Sequence, residues 1–494
     1  MAAKPPHSTK DLGRTPRIVH QFVKGTRSTT SFVQQRLQSL KALLARLRHT
    51  PLADWPLIEF AVPEAAAIYM LSFLGSAALG ILRQMLFNAQ FGLSDVASAY
   101  YVAFRLPDTL NTLVSGGALT NALVPVLLAV YAREGDAASQ QILNLALTVL
   151  LAVAGLLSLI CGIFAPAFVR YLLAPGLDPA TQSLTVELTR IMLLEVMLVV
   201  AESCLVALLV SRNQLLLPAL STAIHNLALI SGIGAAMIFP QVGIYGPTCG
   251  AILDALFKLA LLVPGLRGRG YRFRLAWAPH NRDLRTMLRL LVPNALSSGV
   301  NYSGAIVDTA LITLCGQAAA LGAIQNANLL IGLPVRLLGI SIGQAALPHM
   351  TTLSITNDLV AIRRELHRTL LVACGLAVLA ALAIVVLGRL GIRIILERGA
   401  FDSAAGDLTY QMIVAFSVGL PAYVATEVLS RALLSRLDTR TPLITNCLQL
   451  AVRVVLLLSF IGQVGPLMVP LAFAASSIGE TIILYAVLRR RIST

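Results

Sequence analysis

The sequence predicts an all-α polytopic membrane protein. It reads as two pseudo-symmetric six-helix bundles, about 12 transmembrane helices in all, around a central cavity. Three observations carry this expectation. The 494 residues are 57% hydrophobic and only 12% charged, with mean hydropathy +0.79, whereas a soluble domain is about one quarter charged. The apolar residues collect in runs that reach the roughly 20 residues a bilayer-crossing helix needs. The basic residues fall in short gaps between those runs, and every second gap is almost free of Lys and Arg, which is the pattern of cytoplasmic loops.

The apolar runs are twelve: 62–88, 96–132, 141–170, 183–210, 214–239, 243–265, 284–314, 318–352, 367–396, 407–434, 441–462 and 466–488. One set of gaps holds Arg133, Arg212, the stretch RGRGYRFRLAWAPHNRDLR, then Arg363, Arg364 and Arg368, Arg436 and Arg440, and finally Arg489, Arg490 and Arg491. The other set reads AQFGLSDV, APGLDPATQ, PQVGIYG, CGQAAALG and IGQVGP; only the gap near Arg398 departs from this alternation. An even number of spans with basic gaps inside places both termini in the cytoplasm. The net charge of +15 alone would suit a nucleic-acid binder. Its confinement to these gaps points to a membrane surface instead, so no nucleic-acid partner is expected.

Four regions follow. Residues 1–60 form a basic cytoplasmic extension with ten Lys or Arg before position 58. Within it Val33, Leu37, Leu40, Leu44 and Leu47 recur at alternating spacings of four and three, flanked by Arg36, Lys41, Arg46 and Arg48. That is the pattern of an amphipathic helix lying on an anionic leaflet. Residues 61–266 form a first six-helix lobe, 267–283 a basic cytoplasmic linker and 284–494 a second lobe. An offset of 224 residues places Gly80 on Gly304, Asp178 on Asp402, and Ser211, Arg212 and Pro218 on Ser435, Arg436 and Pro442. Lobes of six spans each insert the same way up, which makes a parallel repeat about an axis along the membrane normal.

No Walker A loop, HExxH or GxSxG is found, so the chain is not read as an enzyme. The six cysteines are scattered through apolar segments without a CxxC pair, so neither a disulfide framework nor a zinc site is signalled. The informative residues are charges inside spans, which are expensive in lipid and therefore functional candidates. Arg83 has no local partner and reads either as a cavity cation for an anionic substrate or as a side chain snorkelling to the interface. Arg105 and Asp108, three apart, can neutralise each other on one helix face, and Pro107 between them should bend the helix. Glu187, Arg190, Glu195 and Glu202 share an arc of roughly 140°. Asp254 with Lys258, and Glu427 with Arg431, read as internal i,i+4 pairs. Asp308 and Arg453 lack local partners and are candidates for pairing across helices. His225 with Asn226 suggests interhelical hydrogen bonding.

The stretches GILRQ (80–84), YYVAFRLPDTL (100–110) and GALTNALVPVL (117–127) resemble the first two helices of the MurJ/MviN lipid II flippases. This family lies within the multidrug/oligosaccharidyl-lipid/polysaccharide exporter superfamily. Residues 292–350 resemble its seventh and eighth helices, and ERGAFDSA (397–404) followed by LLSRLDTRTP (433–442) is the strongest likeness. The resemblance covers roughly 62–490 and implies alternating access by two lobes in the bacterial cytoplasmic membrane. The implied function is flipping of an undecaprenyl-pyrophosphate-linked cell-wall precursor, lipid II or a related saccharide. It also implies a monomer with no cofactor except, in some members, Na+.

The chain departs from that pattern. The family places arginines at three positions occupied here by Ala77, Thr112 and Leu329, while Arg83 is retained. Arg105 matches a basic family position, Arg336 stands where a small residue is usual, and Ser98 replaces an acid. Arg83, Arg105 and Arg336 are thus the expected substrate-binding residues. Asp308 matches an acid that some members use for sodium, and Arg453 stands where it could replace that ion. The best-known members have fourteen spans, the last two forming a groove for the polyprenyl tail; twelve are counted here. Two other readings are a cation-coupled exporter of amphipathic small molecules and a non-transporting membrane scaffold for envelope synthesis.

Overall fold

A computed structural model describes residues 62–493 apart from 115–116, 267–270, 272, 279, 356–357, 437 and 439. The expected amphipathic helix and the rest of 1–60 lie outside the described residues. All regular elements among the described residues are helical: α1 (Val62–Phe91), α2 (Asp95–Ala103), α3 (Arg105–Val114), α4 (Gly117–Glu134), α5 (Asp136–Ile163), α6 (Pro179–Ser211), α7 (Leu216–Ile238), α8 (Tyr245–Leu262), α9 (Arg282–Leu314), α10 (Ala319–Pro334), α11 (Ser341–Ile355), α12 (Leu359–Ile395), α13 (Ser403–Ser417), α14 (Leu420–Leu434), α15 (Arg440–Val464) and α16 (Met468–Ser493).

The twelve expected segments all fall on these helices. Among the described residues, eight helical runs are long and apolar enough to cross a membrane, or nine if the pair α13 and α14, bent by 48°, is one span. Three differences separate this number from twelve, and one is that the first expected segment, 62–88 on α1, is not among these runs. The run Arg440–Arg491 passes through two expected segments as one. In α9 only Tyr302–Leu314 stands as a short apolar helix; charges fill its first turns, and Asn294, Ser297, Ser298, Asn301 and Ser303 interrupt the apolar residues that follow.

The repeat proposed from sequence reappears in local chemistry. Asp178 caps α6 by accepting from the Thr181 amide at 3.0 Å, and Asp402 caps α13 by accepting from Ala405 at 2.8 Å. Hydrogen bonds from Thr181 hold the Asp178 carboxyl below the usual carboxylate range, as a charged helix N-cap should. Ser211 donates to the carbonyl of Leu208 at 2.6 Å, and Ser435 donates to that of Ala432 at 2.8 Å. Gly80 lies against Asn226, and its equivalent Gly304 lies against Leu450, which is Asn226 shifted by the same 224 residues.

The break expected at Pro107 falls one turn earlier. The helix is interrupted at Phe104, between α2 and α3. Pro107 has no N–H for the carbonyl of Ala103, and the hydroxyl of Thr189 approaches that carbonyl at 3.5 Å. A break deep in the bundle persists because a neighbouring helix offers this donor.

The apolar core has two main parts, and the halves of the chain interleave in them. One gathers residues of α3 to α6 together with Leu284, Met287 and Leu291 from the start of α9. The other gathers residues of α10 to α16 with Val102, Leu106 and Leu173 from the first half, and with Ile312 from the end of α9. Helix α9 therefore crosses from one core to the other.

At the end opposite the basic gaps the two halves make close contacts. The amide of Ala400 donates to the carbonyl of Ala89 at 2.8 Å. Asn88 donates to Asn326 at 2.9 Å, and Ser98 donates to the carbonyl of Ala318 at 2.9 Å. Gly399 has φ +57°, and a Cβ there would meet the Ala89 oxygen at 2.2 Å. Only glycine suits both the left-handed backbone and that approach.

Candidate functional site

Two cavities meet at Arg83. The smaller, about 220 Å³, is lined by Arg83, Gln84, Tyr100, Arg105, Asp108 and His225, among others. The larger, about 490 Å³, is lined by Phe73, Ala77, Arg83, His225, Leu329 and Arg336, among others. The three expected substrate residues are therefore spread over two adjoining cavities. Arg83 shares one cavity with Arg105 and the other with Arg336. Arg105 lines the first of these cavities and Arg336 the second, and Tyr302 of α9 lies within electrostatic reach of both.

Arg83 is not the partnerless cation that its sequence neighbourhood suggested. From α1, its Nη1 donates to Nε2 of His225 on α7 at 3.2 Å. An arginine only donates, so Nε2 accepts and the ring proton must sit on Nδ1. That Nδ1 lies 2.8 Å from Asp254 on α8. Asp254 also pairs with Lys258 at 2.9 Å, and Lys258 reaches Glu202 on α6 at 4.0 Å. Asp254 is buried, so its charge requires these partners. The i,i+4 pair read from sequence exists, but it is part of a chain of groups that ends on the cavity cation. The adjacent Asn226 donates to the backbone oxygen and the hydroxyl of Ser76, both at 3.0 Å, as interhelical bonding predicted.

Arg105 makes no direct ion pair with Asp108, although the two opposite charges favour each other. It turns across to α9 and donates through Nε to the Thr309 hydroxyl at 3.0 Å. Asp108 instead lines the smaller cavity beside it. Arg336 lies in a widened helical turn, Val335–Ile340, that follows Pro334. Its guanidinium stands 5.9 Å from the centre of the Phe73 ring on α1. Seven residues return a helix to the same face, so Arg336 lines the same cavity as Leu329. It restores a cation near one position where the resemblance led us to expect an arginine. Ala77 lines that cavity without a charge, and Thr112 shares a side-chain hydrogen bond with Tyr302 of α9.

Asp308 and Arg453, 145 residues apart, form an ion pair between α9 and α15. The Arg453 guanidinium also lies 4.6 Å from the centre of the Phe473 ring on α16. The partner of Asp308, the candidate sodium ligand, is thus a protein cation. Arg453 further lines a third cavity of about 380 Å³ with Asn328, Glu427, Gln449 and Glu480. Glu480 was not singled out from sequence, since a lone acid late in an apolar helix carries no spacing signal. Its partner Thr445, 3.2 Å away, is 35 residues distant in the chain. Among the described residues no group of three or more His, Cys, Asp or Glu is placed to hold a metal ion.

The family profile described as lipid II flippase MurJ matches residues 87–494. The chain belongs to the MurJ family. The probable lipid II flippase MurJ of Rhizobium tropici is 25% identical over 423 residues, covering 85% of this chain and 79% of that one. The lipid II flippase MurJ of Burkholderia cenocepacia is 25% identical over 427 residues, covering 84% and 81%. Among solved structures, a lipid II flippase MurJ in an inward closed conformation superposes with a TM-score of 0.74 at 22% identity, covering 85% of this chain and 87% of that one. An inward-facing multidrug resistance transporter of the MATE family and MOP superfamily gives 0.68 at 14% identity, covering 83% and 94%. These likenesses establish the MurJ fold: two pseudo-symmetric helical bundles around a central cavity.

Proposed function

We propose that this chain flips an undecaprenyl-pyrophosphate-linked cell-wall precursor, lipid II or a related lipid-linked saccharide, across the bacterial cytoplasmic membrane. The observation that carries the reading is the position of Arg83 at the junction of two cavities in a member of the MurJ family. The lobes 61–266 and 284–494 rock about the linker 267–283. Both termini and the basic gaps lie in the cytoplasm, and the basic 1–60 segment rests on the anionic leaflet.

Arg83, Arg105 and Arg336 serve as the cations for the substrate's phosphates. In a cavity walled by apolar helices, each attracts a phosphate far more strongly than it would in water. His225, oriented by Asp254, holds Arg83 in place, and Lys258 balances the charge of Asp254. Access from the opposite side requires the Ala89–Ala400 and Asn88–Asn326 contacts to part, while helix α9 shifts between the cores it joins. Arg453 takes the place of a sodium ion at Asp308, so transport proceeds without Na+.

The test is lipid II translocation by the purified chain in liposomes, with and without sodium. Translocation independent of sodium is expected. A chain that moves amphipathic cations in a sodium gradient and leaves lipid II in place would be an exporter. A chain that moves neither would be a scaffold.

A further inference from the structure

At the basic end of the second half, α12 begins beside the last turns of α16. Between them lies a cavity of about 440 Å³ lined by Val360, Arg363, Arg364, His367, Tyr485 and Arg489, with Leu366 at its back. Among the described residues that line it there is no carboxylate. The mouth is therefore a concentration of cations and hydrogen-bond donors, far from the Arg83 cavities and unused by the transport reading.

The helical faces below this mouth change character. At 100° per residue, Val360, Arg363, Arg364 and His367 share one face of α12 with Leu371, Val378 and Leu382. The last three are 61%, 45% and 56% exposed. On α16, which runs the other way, Tyr485 and Arg489 share a face with Ile478 and Ile482, which are 39% and 62% exposed. At a rise of 1.5 Å per residue, Leu371 and Ile482 both lie roughly 10 Å deeper than the basic cluster. The two helices pack together, so a phosphate held in the mouth would have an apolar track directly beneath it.

We propose that this pocket binds an anionic phospholipid, with the headgroup phosphate on Arg363, Arg364 and Arg489 and an acyl chain along Leu371, Val378 and Ile482. A free phosphate shares the headgroup chemistry but gains nothing from the track. Basic pockets between helices at the cytoplasmic leaflet suit this class of ligand. The site is independent of the flipping mechanism, and its loss leaves the Arg83 cavities intact.

The test uses the full-length protein in phosphatidylcholine vesicles doped with a phosphatidylglycerol that carries a photoactivatable acyl chain. Irradiation should label peptides containing Leu371, Val378 and Ile482. In the variant Arg363→Gln/Arg364→Gln/Arg489→Gln that labelling should fall at least about tenfold. The charge-preserving variant Arg363→Lys/Arg364→Lys/Arg489→Lys, as a check on folding, should retain most of it. Equal labelling by a phosphatidylcholine probe, or unchanged labelling in the glutamine variant, would overturn the proposal. Loss of labelling on adding millimolar inorganic phosphate would assign the pocket to free phosphate and overturn it too.

Discussion

Arg453 on α15 closes an ion pair with Asp308 on α9 and lies against the ring of Phe473 on α16, tying three helices together around one buried charge pair. Removing one partner strands the other in a medium that solvates it poorly. Arg453→Ala should destabilise the protein by about 3–5 kcal/mol, read as a lowered thermal midpoint in detergent. The double variant Asp308→Asn/Arg453→Ala should recover most of the loss.

The same pair predicts a switch in ion dependence. In Arg453→Ala the exposed need of Asp308 for a cation should make thermal stability rise with sodium, while the parent protein stays indifferent. Equal sodium responses in both would show that Arg453 does not stand in for an ion.

Arg83 links the two cavities, so its loss should be felt whichever cavity holds the phosphates. Arg83→Ala should abolish complementation of a flippase-depleted strain, and normal growth would remove Arg83 from the binding site. Arg83→Lys keeps the charge but loses the fork that serves His225 and a phosphate together, and should give partial growth.

His225 acts through Arg83. His225→Phe should raise the substrate concentration for half-maximal translocation by roughly tenfold, about 1.4 kcal/mol, with a smaller change in the maximal rate. A purely structural role would instead lower the amount of folded protein and leave the half-maximal concentration unchanged.

Gly399 fits beside the Ala89 carbonyl only because it lacks a side chain. Gly399→Ala should cost about 1–3 kcal/mol in the state where the two halves meet at that end. A cysteine introduced at Ala77, inside the larger cavity, should then react faster with a membrane-impermeant thiol reagent added from that side.

Much of the fold could be read along the chain because its signals are local. Apolar runs set the helices, and Asp178 and Asp402 cap theirs through amides three residues away. The pairs Asp254–Lys258 and Glu427–Arg431 follow from the rise of a single helix. Even the repeat was legible, since it compares the sequence with itself. What the tertiary structure decided are relations between helices. Arg83 meets His225 across 142 residues, Arg105 prefers Thr309 to its neighbour Asp108, and Arg453 finds Asp308. Arg336 lines the larger cavity with Arg83, and Arg105 lines the smaller one. Helical periodicity states which face a residue occupies, but not how far each helix is turned about its axis or which neighbour it meets. Those rotations are set by packing of whole faces, and in this chain they place each cavity charge.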